Sequence, residues 1–302
     1  MSSLPFRPRK QGTFSSQRLA LSYVEWGPET GPVLFLVHGG RDQKRSWDWV
    51  ANHLAGMGYR VIAHDLRGHG TSDHVSDGDY GVMDHVYDLA SLVDMIGEET
   101  FTLIGHSLGG NITLRYTGLF PDRVEKLVAI EGLGPSPRMI AERSAQSVDD
   151  RLRQWIDQRR AMSDRTPRVM VRFEDALERM AGAHPYLTSE QAEHLTRYGL
   201  KEVASDQFEW AYDPAGMGRS PSDIAQADFE ALWREISCPT WLVYGGNSWA
   251  SDPSKDGRAK HFKNANVTVI EGAGHWLQHD HFDEFMGSLE RFLAPLPSGA
   301  PA

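Results

Sequence analysis

Short apolar runs alternate with amphipathic stretches through the first 133 residues. Val33–Val37 is a continuous apolar pentad, and such a run suits a strand buried on both faces. Leu19–Trp26 has mixed strand character, Val61-Ile62-Ala63 is a further short strand, and residues 101–104 and 128–130 repeat the pattern. Between them the period changes. Val82, Val86, Leu89, Val93 and Ile96 fall on one face of a helix, with Asp84, Asp88 and Asp94 mostly turned away. Residues 47–57, ending near Gly58, and residues 111–120 read as two more helices. This alternation predicts βα units around a mainly parallel sheet.

Between residues 134 and 235 the pattern changes. No clear buried strand run occurs, and helical stretches are expected at 138–159, 169–180 and 189–197. Leu152, Trp155 and Ile156 cluster at helical spacing, as do Phe173, Leu177 and Met180. The α/β rhythm resumes with strands at 240–244 and 267–270. A helix at 282–292 follows, its apolar side built from Phe282, Phe285, Met286, Leu289 and Phe292. The expected organisation is an α/β core from residues 1–134 and 236–302, interrupted by a mostly helical cap at 135–235; ordinary crossover helices of the same sheet are the alternative. A Pro/Ser/Gly/Ala tail, 295–302, is expected to fray.

Composition narrows the setting. The 302 residues include 31 Lys+Arg and 41 Asp+Glu, a net charge of −10 with no concentrated basic tract, which argues against nucleic acid and anionic membranes as partners. Cys238 is the single cysteine, so neither an internal disulfide nor a cysteine zinc cluster is available, and it reads as an inert, partly buried thiol. The N-terminus is polar and broken by prolines, and no apolar run approaches a membrane span. A soluble cytoplasmic protein is the expectation, although a secreted form that had lost its leader is compatible with the same residues.

Two short segments carry chemistry. Gly105-His106-Ser107-Leu108-Gly109 is a G-x-S-x-G pentad between an expected strand and an expected helix. Small residues at 105 and 109 permit a sharp turn, placing Ser107 at a strained corner above the sheet. A surface serine in a Gly-rich turn is the plainer reading. A serine hydroxyl needs a base. Among 13 histidines, His275 in Gly272-Ala273-Gly274-His275-Trp276 stands apart, because it follows the strand at 267–270 and would reach the same sheet edge.

These segments, with His38-Gly39-Gly40, Asp65-Leu66-Arg67-Gly68-His69-Gly70-Thr71-Ser72 and Phe120-Pro121-Asp122-Arg123-Val124, resemble the lid-bearing, esterase-like branch of the α/β-hydrolase superfamily over nearly the whole core. The resemblance implies an α/β-hydrolase fold, Ser107 as nucleophile, His275 as general base and acid, and an oxyanion hole from the backbone N–H groups of Gly40 and Leu108. It assigns the 65–72 loop an architectural role, with Asp65 and Arg67 in buried pairings. No metal, nucleotide or flavin is implied.

The third triad member departs from the pattern. The family usually places an Asp three residues beyond the glycine ending the strand at 240–244, and here that position is Ser248. Glu131, directly after the strand at 128–130, is the favoured acid. Asp252 is the alternative, and Asn247 as a neutral orienter or an unrecognised partner completes the range. Asp42, Arg41 and Arg45 could orient a substrate carboxylate, and Trp47, Trp249 and Trp276 could wall a pocket. The function implied is hydrolysis of a small or medium carboxylic ester through an acyl-enzyme, with water and a small acyl substrate as the partners. Carbon–carbon bond, lactone or amide hydrolysis and perhydrolysis on the same scaffold are alternatives, as is a catalytically silent ligand-binding protein. Serine rather than Asp at position 107 argues against haloalkane and epoxide chemistry.

Overall fold

The computed structural model describes residues 7–76, 78–163, 168–217 and 223–294; the tail at 295–302 lies outside them. Eight strands form one sheet: β1 (Lys10–Ser16), β2 (Leu19–Trp26), β3 (Val33–Val37), β4 (Arg60–His64), β5 (Phe101–His106), β6 (Val124–Ile130), β9 (Thr240–Gly245) and β10 (Ala265–Ile270). Their spatial order is β1-β2-β4-β3-β5-β6-β9-β10. Pairing is parallel from β4 to β10, and β1 and β2 add an antiparallel edge. A separate hairpin, β7 (Leu200–Ala204) with β8 (Gln207–Trp210), lies between β6 and β9 in the chain.

The strand alternation divides the core in two. Phe35, Val37, Leu103, Ala129 and Leu242 face one side, where helices Val82–Ile96, Leu108–Leu119 and Gln226–Glu235 cover them. Leu34, Leu36, Ile104, Val128 and Val243 face the other, under helices Asp48–Gly56 and Phe282–Leu293. Both faces are therefore apolar, which is why the parallel strands appear in the sequence as uninterrupted hydrophobic runs.

Several expectations need correction. The polar N-terminal segment contains β1, whose alternating burial marks a half-exposed edge strand. Asp88 is not turned away from the core: it is fully buried, because Arg67 meets it with two bonds of 2.7 Å. The helix expected at 138–159 divides into Pro137–Ser144 and Val148–Ser163. Ser147 starts the second by accepting from the Asp150 N–H (3.2 Å). Leu152 and Ile156, expected to pack, are exposed. The expected cap boundary at 235 falls at the far end of a helix that belongs to the core, since Phe229 and Trp233 of Gln226–Glu235 join the cluster beneath the sheet.

The insert, the segment between β6 and the helix Gln226–Glu235, includes helices Phe173–Ala183 and Ser189–Gly199. The latter opens with a capping box between Thr188 and Gln191. It is tied down by His194, whose Nε2 lies 3.0 Å from buried Asp48, and by Gln191, which donates to the His279 carbonyl (3.1 Å). Among the described residues no helix is long and apolar enough to cross a membrane.

Candidate active site

Four adjacent strands end at one edge, and each delivers a polar residue just past its last pairing. Register places Gly105 opposite Ala129 and His106 opposite Ile130, so β5 and β6 stop side by side. The next residues continue the ladder: the Ser107 N–H donates to the Ile130 carbonyl (2.7 Å), and the Glu131 N–H to that of Val243 (3.0 Å). Neighbouring strands lie about 4.8 Å apart. Ser107 and Glu131 therefore emerge next to each other.

Both residues have left-handed backbone. Ser107 has φ 52° and ψ −113°, and Glu131 has φ 51°. A side-chain-bearing residue in such a conformation costs roughly 1–3 kcal/mol and persists only where its surroundings impose it. At Ser107 the imposition is visible. A Cβ at Gly105 would lie 2.4 Å from the Gly109 carbonyl oxygen, and one at Gly109 would lie 2.1 Å from that of Val37. The pentad's two glycines thus let the helix Leu108–Leu119 start hard against β3 and β5.

Glu131 is buried and its carboxylate is fully engaged. Oε1 accepts from the Gly245 N–H (2.8 Å), while Oε2 accepts from Ser248 Oγ (2.7 Å) and from His275 Nδ1. Position 248, where the family pattern expects an acid, instead supplies a hydroxyl donor to the acid on the neighbouring strand. Asp252 is engaged elsewhere. It caps the short helix Pro253–Asp256, accepting from Ser254 N (2.9 Å) and Oγ (2.6 Å), with Lys255 at 3.2 Å. Asn247 donates to the Gly272 carbonyl (3.0 Å).

Because Nδ1 donates to Glu131, the remaining nitrogen of His275, Nε2, keeps a basic lone pair. His275 is placed against the Ser107 turn through His106. Their ring centroids are 4.8 Å apart, and His106 Nε2 donates to the His275 carbonyl (2.9 Å). Burial and the neighbouring His275 push the His106 imidazole well below the usual histidine range, keeping it a neutral spacer.

The His38-Gly39-Gly40 loop is held from behind. His38 Nδ1 donates to the Gly39 carbonyl (2.7 Å), and its Nε2 accepts from the Leu66 N–H (3.0 Å). His69 accepts from the Arg41 N–H (3.2 Å) and donates to the Arg67 carbonyl (3.0 Å). These bonds require neutral rings, and burial pushes His38 down to about 3 and lowers His69. Gly39 is the close-packed glycine: a Cβ there would lie 2.9 Å from His106 Nδ1 and 3.2 Å from Ser107 Cβ. At Gly40 a Cβ meets nothing within 4 Å. Leu108 opens its helix, so its N–H is among the donors with no acceptor one turn back.

Ser107, Leu108 and Glu131 line a cavity of about 650 Å³ whose other wall comes from the inserted segment, including Met139, Arg143 and Arg151. Trp249 borders it, 68% exposed, its ring centroid 4.9 Å from that of His275. Trp47 instead belongs to the core beneath the sheet, and Trp276 stacks on His184 of the insert (3.9 Å between centroids). Arg45 does not face a substrate. It pairs with Asp48 (2.7 Å) and lies over the Tyr198 ring. Asp42 is buried against Gln43 and Ser46, and burial pushes its carboxyl up to about 7. Asp65 pairs with Lys44 and Arg67 with Asp88, and both residues are buried. Cys238 is buried, its thiol pushed up to about 11 by desolvation.

Residues not singled out from sequence are His106, the donor role of Ser248, and the two arginines of the insert. Ser248 had a signal, since it occupies the counted position of the missing acid. The arginines had none, because cap residues carry no fixed offset from a strand end.

A parallel sheet covered on both faces, with a strained serine and a His–Glu pair beyond its strand ends, defines the class. The sequence pattern described as the alpha/beta hydrolase fold matches residues 32–282, and the chain belongs to that family. It is 28% identical over 286 residues to the sn-1-specific diacylglycerol lipase ABHD11 of Mus musculus, covering 91% of this chain and 86% of that protein. An esterase of Mycobacterium tuberculosis is 27% identical over 269 residues, 86% of this chain and 82% of the esterase. In three dimensions it resembles a thioesterase domain from the curacin biosynthetic pathway, with a TM-score of 0.79 at 22% identity over 93% of this chain and 99% of that domain.

Proposed function

We propose that the protein is a serine hydrolase that cleaves a small or medium carboxylic ester through an acyl-enzyme intermediate. The observation that carries this reading is the Glu131–His275 pair held beside the left-handed Ser107 at one sheet edge. Relatives named as a lipase and an esterase support ester cleavage as the reaction class.

In the proposed cycle Ser107 Oγ attacks the ester carbonyl carbon while His275 Nε2 takes the hydroxyl proton. Negative charge moves onto the carbonyl oxygen, where the N–H groups of Gly40 and Leu108 receive it. The bond to the alkoxy oxygen breaks, His275 returns the proton to the departing alcohol, and Ser107 is left acylated. Water then repeats the sequence and releases the acid. Glu131 fixes the His275 tautomer and stabilises its transient charge. The helices between β6 and the helix Gln226–Glu235 serve as the lid, which excludes bulk water from the cavity.

The test is burst release of 4-nitrophenol from short 4-nitrophenyl esters, together with fluorophosphonate labelling. Wild-type protein gives a burst and a label on Ser107, and Ser107→Ala gives neither. Absence of both across acyl lengths in the wild type would favour the silent ligand-binding alternative.

A further inference from the structure

We infer that the substrate is anionic and that Arg143 and Arg151 of the insert bind its charged group; this rests on the hydrolase reading above. The starting point is the charge lining the cavity beside Ser107. Four acids and three arginines border it. The acids are engaged. Glu131 is held by Gly245, Ser248 and His275, and Asp223 forms a two-bond pair with Arg115 (2.5 and 2.8 Å). Asp84 lies 3.7 Å from Arg67, and Asp79 is engaged as well. Arg115 is thereby neutralised, and it also accepts the face of Phe229 at 4.5 Å.

Arg143 and Arg151 differ from the other charged groups. Among the described residues neither guanidinium has a carboxylate partner, although both border the same cavity. Arg151 Nε is buried and has no acceptor. A buried donor without a partner is unfavourable, and an anion reaching Arg151 Nε from the cavity would complete it. The acids nearest Arg151 on its own helix are occupied: Asp150 accepts from Ser147 Oγ (2.7 Å), and Asp149 faces Arg153 at 4.0 Å.

The two arginines come from different helices, Pro137–Ser144 and Val148–Ser163, joined by residues 145–147. Two planar guanidinium groups bordering one cavity, exposed Arg143 and half-buried Arg151, suit a carboxylate or phosphate, which each can bind through paired N–H donors. The ester therefore carries a second, negatively charged group on the side facing the insert. That group lies away from the bond that Ser107 attacks.

The experiment compares mono-4-nitrophenyl glutarate, which carries a free carboxylate, with 4-nitrophenyl pentanoate, its neutral counterpart of equal chain length. The homologues one carbon shorter and longer are run alongside, as is the 4-nitrophenyl ester of a phosphono acid. Wild-type kcat/KM favours the anionic partner by about 10-fold or more, the order expected for a charge-assisted hydrogen bond. Arg143→Gln and Arg151→Gln each reduce that preference, read as the ratio of kcat/KM for the anionic ester to that for its neutral counterpart. A carboxylate-only or phosphonate-only preference identifies which anion the site takes.

Equal or better turnover of the neutral esters, or an anionic preference that survives both substitutions, overturns the proposal. Calorimetric titration with glutarate separates it from the hydrolase reading. If Ser107 proves inert but glutarate binds and the Arg variants abolish binding, the anion site stands and the ester chemistry fails. If esters turn over but the wild type neither binds glutarate nor prefers the charged ester, the chemistry stands and the anion site fails.

Discussion

Glu131 concentrates the chemistry at the residue scale. Its carboxylate answers three donors at once, so removing its charge disturbs the His275 tautomer more than it disturbs the fold. Glu131→Gln is expected to lower kcat by about 10³–10⁴-fold with KM little changed, as for other triads deprived of their carboxylate. Ser248→Ala removes one donor only, and a loss of roughly 2–10-fold in kcat is expected. Asp252→Asn is expected to leave ester turnover unchanged, since that carboxylate caps its own short helix. Steady-state kinetics on one chromogenic ester ranks all three. If Asp252→Asn costs more than Glu131→Gln, the acid has been misplaced.

Among the elements, the decisive contact is the start of helix Leu108–Leu119 against the end of β3. Gly109→Ala would press a methyl group into the Val37 and His38 carbonyl oxygens at 2.1 and 2.5 Å, and backbone cannot rotate away as a side chain can. A destabilisation of at least about 2 kcal/mol is expected. Gly40→Ala, where the added carbon meets nothing within 4 Å, should stay within about 0.5 kcal/mol of wild type in denaturant titration. The sequence made this element readable because close packing allows nothing larger than glycine at 105 and 109. Apolar runs likewise exposed β3, β5 and β9, which are buried along their whole length. The edge strand β1 was hidden by its polar outer face, and the β7–β8 hairpin by the exposure of most of its residues. The break at 145–147 was hidden too, since Ser147 is one polar residue among many in the insert. Glu131 was legible only as a preference over Asp252, because strand order, and hence which acid neighbours β5, is not written in any local pattern.

At the scale of the whole molecule, buried histidines set the response to acid. Desolvation pushes His38 and His279 down to about 3 and His64 to about 4, and holds His85 and His106 well below the ordinary value. Each is neutral when folded, yet takes up a proton near pH 6.5 once unfolded. Stability from these groups is therefore complete above about pH 6.5 and is lost progressively as pH falls toward their lowered folded values, about 3 for His38 and His279 and about 4 for His64. Three carboxyls act in the opposite sense. The raised values of Asp42 (about 7), Asp280 (about 6) and Asp88 make the folded form more tolerant of acid above about pH 4, but three carboxyls do not offset five imidazoles. Thermal midpoints measured from pH 8 to 4.5 should be flat at first and then fall, with proton uptake on unfolding of more than one per chain. A midpoint that rises on acidification would contradict this account of the core.

The Glu131–Ser248 hydrogen bond joins the turn after β6 to the turn after β9, and it divides their duties unequally. On the proposed mechanism the β6 turn must keep its geometry, because Glu131, which holds His275, hangs from it. The β9 turn contributes one hydroxyl and then presents Trp249 to the mouth of the cavity, free of any obligation to hold charge. Insertions or altered side chains from 249 onward can therefore retune which molecules enter while the proton-handling apparatus stays intact, which makes that loop the natural place to start when re-engineering selectivity.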